Sequence, residues 1–251
     1  MVASGNDFVI AEGENLGKLA HNICDRKYGI GADGLLVIEK SKIADIKMRI
    51  FNADGSEAEM CGNGARCAAL WVNKPQVKIE TLAGIIESKI HGKNVKIKLT
   101  DPVDFKLNIP LLINERKLSV NFVNTGVPHV VIFVEGVDKI NVFEIGRLIR
   151  YHKAFGPRGT NINFVEVVDD KNIIARTYER GVEGETLACG TGSAASALVA
   201  SLVHNLNKKE INVKVRSGEI LKIYFKSENS SFKDVWLEGK VKIVYKGEYN
   251  V

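Results

Sequence analysis

The sequence predicts an α+β protein of two pseudo-symmetric domains, each a mostly antiparallel sheet or barrel wrapped around a central helix. Three observations predict it. First, a cysteine followed by Gly-x-Gly and a run of small and apolar residues occurs twice, at Cys61-Gly62-Asn63-Gly64-Ala65 and Cys189-Gly190-Thr191-Gly192-Ser193. Second, the motifs around each copy recur in one order, which marks a duplicated domain. Third, residues 195–203 have almost no polar face, and a helix without one is buried on all sides.

Taken in order, Gly5-Asn6-Asp7 turns into a short strand, and residues 16–28 read as a helix with Leu16, Leu19, Ala20 and Ile23 on one face. Glycine-rich residues 29–34 lead to strands over 35–39 and 46–52, and Ala53-Asp54-Gly55-Ser56 turns toward the Cys61 helix. A meander follows over 77–80, 85–90 and 95–99. The second half repeats this plan. Residues 124–129 lead to a strand over 130–134, then a helix with Val142, Ile145, Leu148 and Ile149 on one face. A strand over 162–168 comes next, and Arg176 precedes Cys189 at the spacing of Arg49 before Cys61, to within one residue. A strand–turn–strand centred on Gly218 matches the one at Gly84. The junction is expected near residues 115–121, giving domains 1–117 and 118–251. The last strand, over 240–245, is open to pairing with either half.

Composition narrows the class. Apolar content of 45% and charged content of 26% are those of a globular protein. No apolar run approaches the roughly 20 residues that span a bilayer, and no signal pattern opens the chain, so the expected compartment is the cytoplasm. The net charge of +5 arises from 35 basic and 30 acidic residues spread along the chain. Basic stretches 93–98 and 208–214 alternate as solvated strand faces, and no Arg/aromatic interleaving points to nucleic acid. Of the four cysteines, Cys24, Cys61, Cys67 and Cys189, no pair has CxxC spacing and none has the histidines of a zinc site. No metal is expected. Reduced thiols are expected, with Cys24 and Cys67 as packing residues.

Each repeated cysteine stands at a helix N-terminus, where unpaired N–H groups and the macrodipole favour negative charge and should lower a thiol's pKa. Two such cysteines facing each other across one pocket can take a proton from one face of a carbon and return one to the other. The free N–H groups at Gly62-Asn63 and Gly190-Thr191 suit a substrate carboxylate and the carbanion beside it. Nothing resembles a dinucleotide fingerprint, a P-loop or a pyridoxal-phosphate lysine, so the expected chemistry needs no cofactor.

The stretches Asn52-Ala53-Asp54-Gly55-Ser56 through Met60-Cys61-Gly62-Asn63-Gly64-Ala65-Arg66, and Glu179-Arg180-Gly181 through Cys189-Gly190-Thr191-Gly192, resemble the paired signatures of the diaminopimelate epimerase family. The resemblance covers nearly the whole chain. It implies interconversion of LL- and meso-2,6-diaminopimelate, a step toward lysine and peptidoglycan, with Cys61 and Cys189 as the two bases and a homodimer as a possible assembly. It also implies substrate contacts from Asn6, Asn52, Gly62, Asn63, Asn161, Glu179, Arg180, Gly190 and Thr191, with His129 and Glu179 assisting the cysteines. Arg180 suits the distal carboxylate, with Asn52 and Asn161 as neutral partners. The sequence departs from the family pattern at Gly34, where some members carry Gln, and at Val127, where many carry Asn. Its N-terminus begins a few residues short of that pattern, so the first strand is expected to be clipped. Two other readings compete: a related amino-acid racemase, disfavoured by Arg180, and an inert anion-binding protein using the two helix termini as a clamp.

Overall fold

Two helices with cysteines at their N-caps form the centres of the fold. The structure, a computed structural model, describes residues 1–207, 209–228 and 231–250. Helix α4, Gly190–Val203, is buried continuously from Gly192 to Ser201, as its missing polar face requires. Two of its serines bond locally: Ser193 Oγ donates to the Cys189 carbonyl at 2.8 Å and Ser196 Oγ to the Gly192 carbonyl at 2.7 Å. Helix α2, Gly62–Val72, buries residues 63–69 and stops at Asn73, which adopts a left-handed φ of 56°.

The chain divides into two units, Met1–Lys98 with Glu238–Val251, and Leu99–Leu237. The first unit contains β1 (Val2–Ala3), β2 (Asn6–Glu12), α1 (Ala20–Cys24), β3 (Gly34–Glu39), β4 (Ile46–Asn52), β5 (Glu57–Ala58), α2, β6 (Gln76–Thr81), β7 (Gly84–His91) and β8 (Asn94–Lys98). Strands β2 and β3 run parallel, β3–β4 and β4–β5 antiparallel, β4–β6 parallel, and β6–β7–β8 antiparallel. Strands β1 to β4 and β6 to β8 contact α2.

The second unit contains β9 (Val103–Ile113), β10 (Arg116–Asn124), β11 (Pro128–Phe133), α3 (Val142–Arg150), β12 (Asn161–Val167), β13 (Asn172–Glu179), β14 (Gly184–Thr186), α4, β15 (Glu210–Lys214), β16 (Ile220–Glu228) and most of β17 (Ser231–Lys240). Its pairings repeat those of the first unit strand for strand: β11–β12 parallel, β12–β13 and β13–β14 antiparallel, β13–β15 parallel, β15–β16 antiparallel. Helix α4 contacts β10 to β13, β15 and β16. A core of Val130, Ile132, Val142, Ile149, Ile162, Phe164 and Tyr178 joins α3 to the sheet. The expected class, two repeats each built of sheet around a helix, is the architecture observed.

Several boundaries differ from expectation. Residues 16–28 form a 3-10 turn, Leu16–Leu19, and the short α1; Asp25 then ends the helix by accepting the Lys27 and Tyr28 N–H groups at 2.7 and 2.8 Å. The stretch at 115–121 is not a junction. It lies in the β9–β10 hairpin, whose turn takes positive φ at Asn114 and Glu115, and the division between units falls at Lys98/Leu99 instead. The C-terminal strand ends at Lys240 rather than spanning 240–245, leaving one bridge between Val2 and Lys242. In the basic stretches, Val95, Ile97, Ile211 and Val213 point inward; Lys208 and Val251 lie outside the described residues.

Candidate active site

In the first unit, Cys61 is the N-cap of α2 with extended backbone, and its sulfur accepts the Gly64 N–H at 3.4 Å. Helix geometry leaves the Gly62 and Asn63 N–H groups without an intrahelical partner. Asn6, at the start of β2, reaches this terminus: its Oδ1 lies 3.8 Å from the Cys61 sulfur and accepts Asn63 Nδ2 at 3.5 Å. Both asparagines are held from behind. Asn6 Nδ2 donates to Asp33 at 2.6 Å, and Arg26 bridges Asp33 and Asp7 at 2.7 and 2.8 Å. Asn63 Oδ1 accepts from the wholly buried Arg66 at 2.5 Å, and Arg66 also donates to Ser4 Oγ at 3.0 Å. Asn52 is exposed at the end of β4, opposite Gly34 in register, with its amide on Ser56 Oγ. Gly34 has no room for a side chain: a Cβ there would meet the Phe51 carbonyl oxygen at 2.8 Å.

In the second unit, Cys189 is the N-cap of α4 and accepts the Gly192 N–H at 3.4 Å; helix geometry leaves the Gly190 and Thr191 N–H groups without an intrahelical partner. Thr191 Oγ1 stands 3.6 Å from the Cys189 sulfur and 3.0 Å from His129 Nε2. Glu179 hydrogen-bonds the Cys189 thiol and accepts Thr186 Oγ1 at 2.5 Å. Asn161 Oδ1 accepts the Arg180 backbone N–H at 2.8 Å, and its Nδ2 donates to the Pro128 carbonyl at 3.2 Å. Asn161 therefore positions the chain around Arg180, with one amide proton left over.

The electrostatics correct one expectation. Burial pushes the Cys189 thiol well above the usual thiol range, and the Glu179 carboxylate pushes it further; hydrogen bonds from Thr191 and Gly192 oppose this without overcoming it. The helix terminus does favour thiolate, as the sequence suggests, but dehydration and a neighbouring carboxylate outweigh it. Cys189 therefore carries its proton here. Burial also raises the Glu179 carboxyl. His129 is brought down to about 3 by burial, with the Arg180 charge adding to it, so its ring is neutral. Cys24, buried on α1, is raised to about 11 by burial, in keeping with a packing role.

The structure thus gathers Asn6, Cys61 and Asn63 in one unit, and His129, Glu179, Cys189 and Thr191 in the other, with Asn161 beside Arg180. Sequence reasoning passed over Arg66, Asp33, Asn163 and Thr177. A signal for Asn163 existed: it is a polar residue two positions after Asn161 in a mostly apolar strand, hence on the same face. Among the described residues no group of three or more His, Cys, Asp or Glu side chains is arranged to hold a metal, and no helix is long and apolar enough to cross a membrane.

The fold is two repeats of sheet around a cysteine-capped helix, and its family match places the chain among isomerases of the racemase and epimerase class. The fold is shared with a PhzF-family phenazine biosynthesis protein of Bacillus anthracis (TM-score 0.73, 19% identity, covering 96% of this chain and 92% of that one). It is shared also with a hydroxyproline epimerase of Agrobacterium vitis (TM-score 0.68, 14% identity, 95% and 87%). The diaminopimelate epimerase family model matches residues 1–105 and 121–244. Diaminopimelate epimerases of Aquifex aeolicus and Caldanaerobacter subterraneus are 43% and 42% identical to this chain, over 97% and 98% of its length and 94% and 97% of theirs. The chain belongs to the diaminopimelate epimerase family.

Proposed function

We propose that this epimerase interconverts LL- and meso-2,6-diaminopimelate by a two-base thiol/thiolate mechanism, in the cytoplasmic supply of lysine and peptidoglycan precursors, without pyridoxal phosphate or metal. Family membership supports the substrate and its place in lysine biosynthesis. The observation that carries the mechanism is the pair of N-cap cysteines, each sulfur accepting a backbone N–H of its helix start. The Cys61 thiolate takes the α-proton; the C–H bond breaks, an S–H bond forms and the electron pair stays on carbon. The Cys189 thiol then delivers its proton to the opposite face and becomes the thiolate. In the reverse direction the roles exchange. Free N–H groups at the helix starts bind the reacting carboxylate and spread the developing charge. Arg180 pairs with the distal carboxylate, Asn6, Asn52, Asn63 and Asn161 line the substrate, and Glu179 receives the Cys189 proton as a hydrogen bond. A homodimer is part of this reading.

The test is proton NMR of LL-diaminopimelate with reduced enzyme in deuterium oxide and no added cofactor. The α-proton signal is expected to disappear as meso product forms, and Cys61→Ala or Cys189→Ala is expected to stop turnover. Retained turnover in either variant refutes the two-base assignment. An intact α-proton with the wild-type enzyme refutes the substrate.

A further inference from the structure

Behind Cys189 lies a chain of buried polar groups whose donor directions follow from one fixed acceptor, the Val130 carbonyl. Asn163 on β12 is wholly buried, and one end of its amide lies 2.9 Å from the Val130 carbonyl. A carbonyl only accepts, so that end is the NH₂ and the other is the oxygen. The oxygen faces Thr177 Oγ1 at 2.9 Å, which donates to it. The second NH₂ proton points at His129 Nδ1, 3.2 Å away. A ring nitrogen that receives an N–H must present its lone pair, so the imidazole proton sits on Nε2. That Nε2–H donates to Thr191 Oγ1 at 3.0 Å, and the threonine hydroxyl then turns its own proton toward the Cys189 sulfur at 3.6 Å.

We propose that Asn163, backed by Thr177, is a positioning residue: it locks His129 in the neutral Nε2–H tautomer and thereby aims the Thr191 hydroxyl at the Cys189 sulfur. The consequence for the reaction rests on Cys189 being one of the two bases. His129 then acts on Cys189 through Thr191, as the fixed donor that leaves the threonine hydroxyl one direction in which to donate. Glu179 accepts from the thiol, while Thr191 and the Gly192 N–H donate to the thiolate, so the sulfur has partners in both protonation states. Three further features agree. The charged group acting on His129 is Arg180, which opposes protonation of the ring, as does its burial. Thr125 Oγ1 pins the Thr191 carbonyl at 3.1 Å, fixing the backbone that carries the hydroxyl. Gly192 is pressed against Asn163: a Cβ there would lie 2.4 Å from Asn163 Oδ1.

The test uses wild-type enzyme labelled with ¹⁵N-histidine, with His129 assigned by its loss in His129→Gln. Long-range ¹H–¹⁵N correlation is expected to show a neutral ring with Nε2 protonated, unchanged between about pH 5 and 8. An Nδ1–H tautomer, or titration in that window, overturns the proposal with no substitution needed. Asn163→Asp places an acceptor against Nδ1, moves the proton there, and lets Nε2 draw the Thr191 hydroxyl away from sulfur. Its kcat is expected to fall by about tenfold or more with KM nearly unchanged, the size expected for one hydrogen bond to a charged sulfur. Asn163→Ser removes the amide without adding charge and is expected to lose kcat in the same way. Wild-type kcat in either folded variant overturns the positioning role. Full turnover in Cys189→Ala would instead sink the two-base reading and leave the tautomer result standing.

Discussion

His129 makes the folded protein acid-labile by an amount that can be worked out. Its folded pKa is about 3 against 6.5 for the free side chain. Above the unfolded value neither state protonates the ring, and the stability contribution is complete. As pH falls below about 6.5 the unfolded ring gains a proton that the folded ring refuses, so stability drains by about 1.4 kcal/mol per pH unit until the folded pKa is reached. Between about pH 7 and 4.5 this one group removes about 2.5 kcal/mol. His129→Gln has no such loss, whatever its own stability at neutral pH. Urea unfolding of both proteins across that range isolates the effect, because carboxylates titrating elsewhere contribute equally to both curves. The wild-type curve is expected to fall toward that of the variant by the stated amount. Parallel curves, differing by a constant to within about 0.5 kcal/mol, would show that the ring titrates normally in the folded state and would refute its dry, neutral setting.

Other consequences can be measured as directly. Glu179→Gln removes the carboxylate that raises the Cys189 thiol, so alkylation of Cys189 at neutral pH, read by peptide mass, should quicken while turnover falls; slower or equal labelling would count against the pairing. Arg66→Met strips buried Asn63 and Ser4 of a donor and should cost about 2 kcal/mol or more in urea with a raised KM; an unchanged midpoint would show that Arg66 is dispensable. Gly192→Ala forces a methyl onto Asn163 and Cys189, with an expected loss of about 1–3 kcal/mol and a lower kcat; a fully active, equally stable variant would contradict the close packing.

What the sequence determined by itself is the repeat and the two thiols. Cys-Gly-x-Gly before an apolar run dictates a cysteine at a helix start through local geometry alone, and the absence of a polar face on α4 dictates its burial. Strands β4 and β7 follow alternation that survives in any tertiary setting. The β9–β10 hairpin was harder to read because its strands are largely exposed on β9 and irregular in register, which blurs the period-two signal. The helix over 16–28 shortened because the Asp25 side chain competes for backbone donors, a choice made within one turn. The charge state of the site was decided only by tertiary structure. A helix terminus lowers a thiol's pKa by short-range dipoles that sequence reveals; the dehydration of Cys189 and the approach of Glu179 come from strands folding around it. The tautomer of His129 is likewise set by Asn163, 34 residues away in sequence and 3.2 Å away in space. Such a partner is fixed by sheet register, which a single chain of letters does not display.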